Sequence, residues 1–187
     1  MNREALLRAV GRGAAEPLAK FSSLTVLARA SDRQLLDAGF SAAQLERLRA
    51  VLALCQDYAA ESLAPGEQFS SPEQVAAAWG PRLRHLRVEQ VWAIALDAKN
   101  QVLREYLVAQ GGAACCAIAP GQVFATALAE QASAVLVVHN HPSGDCAPSP
   151  QDVALTERLR DVADVVGIRL LDHVIVAGGD DFHSFAQ

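Results

Sequence analysis

The first sixty residues place apolar side chains at helical spacing. Leucines and alanines recur every three or four positions in Glu4–Val10, in the segment AAEPLAKF and in Ser41–Ala60, without β-branched clusters. Ser41, with Gln44 three residues later, has the form of a capping box and predicts that the last of these helices begins there. The pattern therefore predicts a small helical module at this end of the chain.

A polar segment separates this module from the rest of the chain. Residues 61–74 carry two prolines and a glycine, which predict a linker that we place at 63–70. Ser71 followed by Pro72, with Gln74 as the third helical residue, predicts the start of another helix. The predicted domains are a helical module over 1–62 and a second domain over 71–187.

After Arg87 the pattern alternates between strands and helices. The segment 88–109 is rich in β-branched and aromatic residues on both sides of Lys99–Asn100, which predicts a hairpin. Helices are predicted at 120–132 and 150–166, the second ended by Gly167. Further strands are predicted at 114–119, 133–141, 168–178 and 181–186. Mixed elements of this kind indicate an α/β or α+β domain.

Composition narrows the class of protein. The 187 residues are 51% hydrophobic and 20% charged, which excludes an intrinsically disordered chain. A run of eighteen apolar residues and the apolar core of a signal peptide are both missing, so we expect no membrane span and a cytoplasmic location. The net charge of −5 provides no overall field that would attract nucleic acid.

The cysteines do not indicate a disulfide framework or a cysteine zinc site. The four of them include two neighbours and no C-x-x-C spacing, which predicts reduced thiols: Cys55, Cys115, Cys116 and Cys146.

One segment, Val137–Asp152, carries candidate metal ligands. His139 and His141 are two residues apart at the end of a predicted strand, so their side chains share a face. Asp152 follows in the first turn of the next predicted helix. Two imidazole nitrogens and one carboxylate oxygen leave the fourth tetrahedral position open, which is the coordination of catalytic zinc.

The same residues also fit a plain structural interpretation. Ser149-Pro150-Gln151-Asp152 is an ordinary helix start, with serine at the cap and aspartate at the third helical position. A lone His-x-His more often closes a strand than binds a metal. The combination, with Pro-Ser-Gly between the two parts, favours a metal site, and a helix start can hold a ligand in place.

The spacing resembles a known motif. His139-x-His141, seven residues, Ser149, two residues and Asp152 resemble the JAMM (MPN+/JAB1) metalloprotease motif at every required position. The wordings HNHPSGDCAPSPQD, LLDHVIVAG and EQVWAIALDAKNQVL resemble the RadC branch of that family over roughly residues 70–187. The resemblance implies a JAMM/MPN-like α/β fold, with a cytidine-deaminase-like core sheet flanked by helices.

The resemblance also implies roles for individual residues. His139, His141 and Asp152 would bind one zinc ion per chain, and Ser149 would hydrogen-bond the tetrahedral intermediate. Glu89 matches the family's general base, which acts on the zinc-bound water. The implied activity is that of a zinc-dependent metallopeptidase or isopeptidase whose substrate is a peptide or an isopeptide-linked protein.

Alternatives to Glu89 stay open at this point. Glu89 beside Arg87 also fits a plain carboxylate at a strand end, and Glu105 and Glu130 are alternative bases.

Other candidates near the motif are weaker. Asp172–His173 resembles the family's Asp-His pair, which either orients a ligand or simply closes the core strands. His85 and His183 are interpreted as surface residues. Cys146 lies within the motif loop but is not a ligand in the family pattern.

The helical module resembles the helix-hairpin-helix region of RadC proteins, in a degenerate form. Its turn, Gly39-Phe40-Ser41, lacks the second glycine, Ala43 stands where a basic residue often sits, and Asp37 adds negative charge. We therefore favour a structural module over a DNA-binding one.

Two functions other than that of a hydrolase are compared with the sequence. The alternative is a non-catalytic DNA- or protein-binding module with a structural or vestigial metal site. A zinc deaminase would need His-x-Glu and Pro-Cys-x-x-Cys, and this sequence has neither. The sequence does not indicate the oligomeric state.

Overall fold

The computed structural model of the protein describes residues 3–59, 66–111 and 118–186. The chain divides into two compact units, Met1–Glu61 and Ser62–Gln187. Among the described residues, no helix combines the length and the hydropathy that crossing a membrane requires.

The first unit is helical over the residues that are described. Its five helices are α1 (Arg3–Val10), α2 (Ala15–Ala19), α3 (Leu24–Arg29), α4 (Asp32–Ala38) and α5 (Ala42–Ala59). The predicted capping box at the start of α5 is confirmed, because Ser41 and Gln44 exchange backbone-to-side-chain hydrogen bonds of 2.9 and 3.3 Å. A core of buried leucines, including Leu6, Leu27 and Leu48, holds the helices together.

The second unit is a mixed sheet with helices. Its described elements are α6 (Pro72–Leu83), β1 (Gln90–Leu96), β2 (Val102–Gln110), α7 (Pro120–Ala129), β3 (Ala134–Asn140), α8 (Pro150–Val166), β4 (Arg169–Val176) and β5 (Phe182–Ser184). The strand order is β2-β1-β3-β4-β5. Among these described strands β3 and β4 pair in parallel and are connected by α8, and the other pairs are antiparallel. The mixed α/β architecture is therefore confirmed, and the cytidine-deaminase-like core stays a prediction.

Side-chain alternation along β3 divides the core between the two faces of the sheet. Val135 and Val137 pack with residues of α7 and α8. Leu136 and Val138 pack with Trp79 and other residues of α6. All seven residues of β3 are buried, as expected for a central strand covered on both faces.

Part of the predicted linker is paired with the hairpin. The backbone N–H of Val102 donates to the carbonyl of Glu67 at 2.7 Å, and Gln68 bridges Gln101. Phe69, an apolar residue within a polar stretch, is buried in the core next to α6. Residues 66–69 thus belong to the second unit's structure.

Most of the strand predicted at 114–119 lies outside the described residues. Residues 114–117 lie outside the described residues, and Ile118 and Ala119 lead into α7 without strand pairing. Ile118 is buried in the core as an apolar side chain ahead of the helix.

Candidate metal centre

The alternation of β3 sets the direction of the first histidine. His139 follows Val135 and Val137 in the two-residue period, which places its side chain on the α8 face, and it is fully buried. His141 comes just after the strand, where its N–H donates to the carbonyl of Val176 in β4 at 3.1 Å. The strand end thus delivers both imidazoles to one place.

The first turn of α8 supplies the carboxylate. Ser149 caps the helix, and its Oγ accepts the N–H of Asp152 at 3.2 Å. In return Asp152 Oδ2 accepts the N–H and the O–H of Ser149, each at 2.7 Å. The segment can therefore be a helix cap and a candidate metal site at once, because the capping bonds orient the Asp152 carboxylate.

Glu89 lies immediately before β1, beside the end of β3. Val91 in β1 pairs with His139, and this antiparallel register brings Glu89 to the same edge. Its carboxylate Oε1 is 3.9 Å from His139 Nε2, and its side chain is 16% exposed. Glu89 therefore borders the site from the more open side.

The ligand atoms converge at the spacing that a tetrahedral ion requires. Nε2 of His139 and Nε2 of His141 are 3.0 Å apart, and each lies 3.3 Å from an oxygen of Asp152. Zinc bonds of about 2.1 Å would place tetrahedral ligand atoms about 3.4 Å from one another. Within the described ranges, the group able to hold a metal is Glu89, His139, His141 and Asp152, with ligand atoms all within 4.8 Å.

Hydrogen bonding fixes which nitrogen of His141 is available. Its Nδ1 lies 2.8 Å from the carbonyl oxygen of Asp145, which can only accept, so Nδ1 carries the hydrogen. The lone pair of a neutral His141 is then on Nε2, which faces His139 and Asp152. Lone pairs and a carboxylate directed at one point are the donor set that suits a shared cation.

The same contacts shift the acid–base behaviour of the site. The hydrogen bond with Asp152 raises the pKa of His141. Burial raises the pKa of Asp152, but its contacts with His139, His141 and Ser149 outweigh burial and hold that pKa far below its ordinary value. Asp152 is thus a carboxylate at neutral pH, the form that binds a metal.

A second layer of hydrogen bonds lies behind His139. His139 Nδ1 is 2.8 Å from His173 Nε2, and His173 Nδ1 is 2.6 Å from the hydroxyl oxygen of Thr156. Burial and the nearby His139 lower the pKa of His173 well below its ordinary value, so it is neutral. Thr156 is not among the residues predicted from the sequence, and its one signal there is its place one helical turn after Asp152 on α8.

Asp172 and His173 have different hydrogen-bond partners. Asp172 accepts hydrogen bonds from the backbone N–H groups of His173 and Ala186 and from the hydroxyl of Ser184. These bonds tie β4 to the segment around β5. His173 contacts a candidate ligand, and Asp172 fastens the strands.

The alternative bases are engaged elsewhere. Glu105 forms a two-bond ion pair with Arg82 at 2.6 and 2.7 Å, largely out of solvent. Glu130 pairs with Arg104 at 2.8 Å. Glu89 is the candidate base that the structure brings to the ligands.

The remaining candidates stay outside the cluster. Cys146 is a partly buried free thiol and is not in the group able to hold a metal. His85 and His183 were predicted to lie at the surface, and both are partly buried. His183 lies in β5, where its ring packs edge-on against Phe185.

Comparison with known proteins identifies the family. The RadC-like JAB domain family matches residues 69–187. This chain belongs to that family. The matched range contains every residue of the cluster, so the RadC resemblance seen in the sequence is confirmed.

Curated relatives of this family are similar over most of the chain. A UPF0758 protein of Syntrophotalea carbinolica is 38% identical over 90% of this chain and 74% of its own length. One from Geobacter sulfurreducens is 40% identical over 80% of this chain and 65% of its own length. One from Vibrio cholerae is 37% identical over 91% of this chain and 76% of its own length. The chain thus spans about two-thirds to three-quarters of these relatives.

Proposed function

We propose that this RadC-like chain is a zinc-dependent hydrolase that cleaves an amide bond, in a peptide or in an isopeptide-linked protein. One observation carries the proposal. The imidazoles of His139 and His141 and the carboxylate of Asp152 converge at tetrahedral spacing, with Glu89 beside them. Three ligands that leave one position open are typical of catalytic zinc, whereas structural zinc sites are closed.

Each residue has a task in such a reaction. Zinc would supply Lewis acidity, which lowers the pKa of a coordinated water to about 7 and polarises a carbonyl. Glu89, 16% exposed and facing the ligands, is placed to take a proton from the attacking water and pass it to the leaving amine.

The oxyanion role of Ser149 requires a change of hydrogen-bond partner. Its O–H donates to Asp152 Oδ2 at 2.7 Å, and a hydroxyl has one hydrogen to give. To stabilise a tetrahedral intermediate, Ser149 would turn that hydrogen toward the substrate, while its backbone N–H keeps its own bond to Asp152. Removal of such a donor typically costs about 10²- to 10³-fold in rate.

The binding-module alternative is supported less well. In the helical unit the turn between α4 and α5 has a glycine at φ 108°, Gly39, but two N–H groups in the first turn of α5 already have acceptors. The N–H of Gln44 donates to the Ser41 side chain, and the N–H of Leu45 to the Ser41 carbonyl. A phosphate would have to displace part of this cap, so the turn does not favour DNA binding.

Metal content is the first test. We expect the protein purified without added metal to contain about one zinc per chain, and the His139→Ala/His141→Ala variant to contain none, because three ligands with two imidazoles define the site. Elemental analysis beside a protein assay measures the ratio. A wild-type protein that takes up no zinc, even when zinc is added, would overturn the hydrolase proposal.

The second test separates an enzyme from a binder. Glu89→Gln should keep its zinc and lose about 10²- to 10⁴-fold of its rate on a panel of peptide and isopeptide amides, because the amide side chain cannot accept a proton. Glu130→Gln, which changes a carboxylate paired with Arg104 outside the cluster, is the matched control and should keep full activity. The binding module would be favoured if zinc-loaded wild-type protein hydrolyses no amide in the panel and Glu89→Gln binds DNA or a protein partner as tightly as wild type does.

A further inference from the structure

A buried chain of hydrogen bonds connects two of the candidate ligands through residues that are not ligands. It runs from His139 Nδ1 to His173 Nε2 at 2.8 Å, and from His173 Nδ1 to Thr156 Oγ1 at 2.6 Å. It ends at the backbone carbonyl of Asp152, 2.7 Å from Thr156 Oγ1. His139, Thr156 and His173 are each at most 1% exposed.

The direction of every hydrogen in this chain follows from counting donors. A carbonyl oxygen only accepts, so the Thr156 hydroxyl gives its one hydrogen to Asp152. The Thr156 oxygen can then only accept from His173, which must carry its hydrogen on Nδ1. His173 Nε2 is therefore an acceptor, and His139 must donate to it from Nδ1.

This ordering leaves the lone pair of His139 on Nε2. That nitrogen is the one that lies 3.0 Å from His141 Nε2 and 3.3 Å from Asp152 Oδ1. In the opposite tautomer Nε2 would carry the hydrogen and could not bind a metal. A ligand histidine is commonly fixed by a hydrogen bond at its other nitrogen, and here the acceptor is a second histidine whose own tautomer needs fixing.

We propose that Thr156 is a positioning residue that sets the tautomer of His173, and through it the metal-binding tautomer of His139. The same hydroxyl holds the backbone of Asp152, so one side chain in α8 orients a ligand of its own helix and a ligand of β3. The inference rests on the proposed metal site. Asp172 takes no part, since its oxygens are bonded to the backbone of β4 and to the segment around β5.

Thr156 and His173 could also have purely structural roles, which would predict a different result for a variant without the hydroxyl. A threonine in a helix often bonds back to the carbonyl four residues earlier for local reasons only. His173 also stacks on Phe185, with ring centroids 5.0 Å apart and an angle of 13° between the planes, which is packing rather than chemistry. Thr156→Val keeps the side-chain shape and leaves Phe185 unchanged while it removes the hydroxyl, so it separates packing from tautomer control.

The first readout is zinc affinity, measured by competition with a chromophoric chelator at neutral pH. Thr156→Val should bind zinc about 10- to 100-fold more weakly than wild type, which is the usual cost of losing a group that orients a ligand. Thr156→Ser, which restores the hydroxyl, should recover wild-type affinity. Thr126→Val, a threonine of α7 that is not part of the chain of bonds, should bind like wild type.

The second readout is the tautomer itself, taken from ¹⁵N chemical shifts of the histidine rings in the metal-free protein. Wild type should show hydrogen on Nδ1 of both His139 and His173, and Thr156→Val should lose this state. Near-ultraviolet circular dichroism checks that each variant is folded.

The two proposals fail in different ways. A folded Thr156→Val that binds zinc like wild type and keeps Nδ1–H on His139 would overturn the role of Thr156 while leaving the metal site intact. If wild-type protein binds no zinc, the proposed function fails, and the ring ¹⁵N shifts alone decide whether Thr156 orders the histidines.

Discussion

At the scale of single residues, Asn140 holds the candidate base in place. It lies between the two histidines of the motif and is fully buried. Its Oδ1 accepts the N–H of Gln90 at 2.9 Å, and its Nδ2 donates to the carbonyl of Val88 at 3.1 Å. Both bonds are to the backbone on either side of Glu89, so one amide holds the segment that carries Glu89 next to the candidate ligands.

This arrangement predicts the effect of Asn140→Asp. A carboxylate cannot donate to the Val88 carbonyl, and its charge would lie at a position that is fully buried, so the free energy of unfolding should fall by at least about 1–3 kcal/mol. Asn100→Asp is the matched control, because that side chain uses its oxygen to accept from Arg169 and would keep an acceptor. Urea unfolding of the metal-free proteins measures both; equal stability of the two variants would contradict the assigned role of Asn140.

At the scale of elements, the start of α8 combines a helix cap with a candidate metal ligand. Ser149 caps the helix in the same way that Ser71 caps α6, with the serine Oγ accepting the N–H three residues later. The difference lies in that third residue. At α6 it is Gln74, whose side chain accepts from Ser70, and at α8 it is Asp152, which also receives the O–H of its own cap.

The comparison of these two caps makes a prediction. Ser149→Ala and Ser71→Ala should each lower the free energy of unfolding by about 1 kcal/mol, because each loses a capping bond. Only Ser149→Ala should also weaken zinc binding, by about 10- to 100-fold, because Asp152 Oδ2 loses a hydroxyl donor. Chemical unfolding and chelator competition measure the two effects, and equal zinc affinity in both variants would show that the cap does not orient the ligand.

At the scale of the whole molecule, the two compact units have separate buried cores. The core of the helical unit is drawn from residues between Leu6 and Leu52. The two cores on either side of the sheet are drawn from residues 69–182. The cluster and the hydrogen-bond partners described for it lie within the second unit, between residues 88 and 186.

We therefore expect the fragment 62–187 to fold and to bind zinc with the affinity of the full chain. Both tryptophans of the protein, Trp79 and Trp92, belong to this unit, and their rings lie 5.4 Å apart. Near-ultraviolet circular dichroism of the pair reports its packing, and chelator competition reports its metal site. A fragment without a tertiary signal, or one that binds no zinc when the full chain does, would show that the helical unit is needed.

Sequence alone was enough to predict most of the elements and to name the candidate ligands. Hydrophobic period, turn residues and caps predicted the hairpin, the buried strand before the motif and α8, because these signals are local. The ligand spacing was equally readable, since residues two apart on a strand share a face and a third helical residue follows its cap at a fixed offset. The strand predicted at 114–119 stays a prediction, because residues 114–117 lie outside the described ranges; Ile118, which follows them, is buried ahead of α7.

Which distant residues lie beside the candidate ligands depends on the tertiary structure. The antiparallel register of β1 and β3 brings Glu89, and not Glu105 or Glu130, next to the candidate ligands. The tertiary structure also shows that His173 contacts a candidate ligand and that Asp172 does not. Thr156 and Asn140 contact partners that are 17 and 52 positions away in the sequence. A side chain's hydrogen-bond partner across a core depends on strand order and helix packing, and no local pattern in the sequence encodes either.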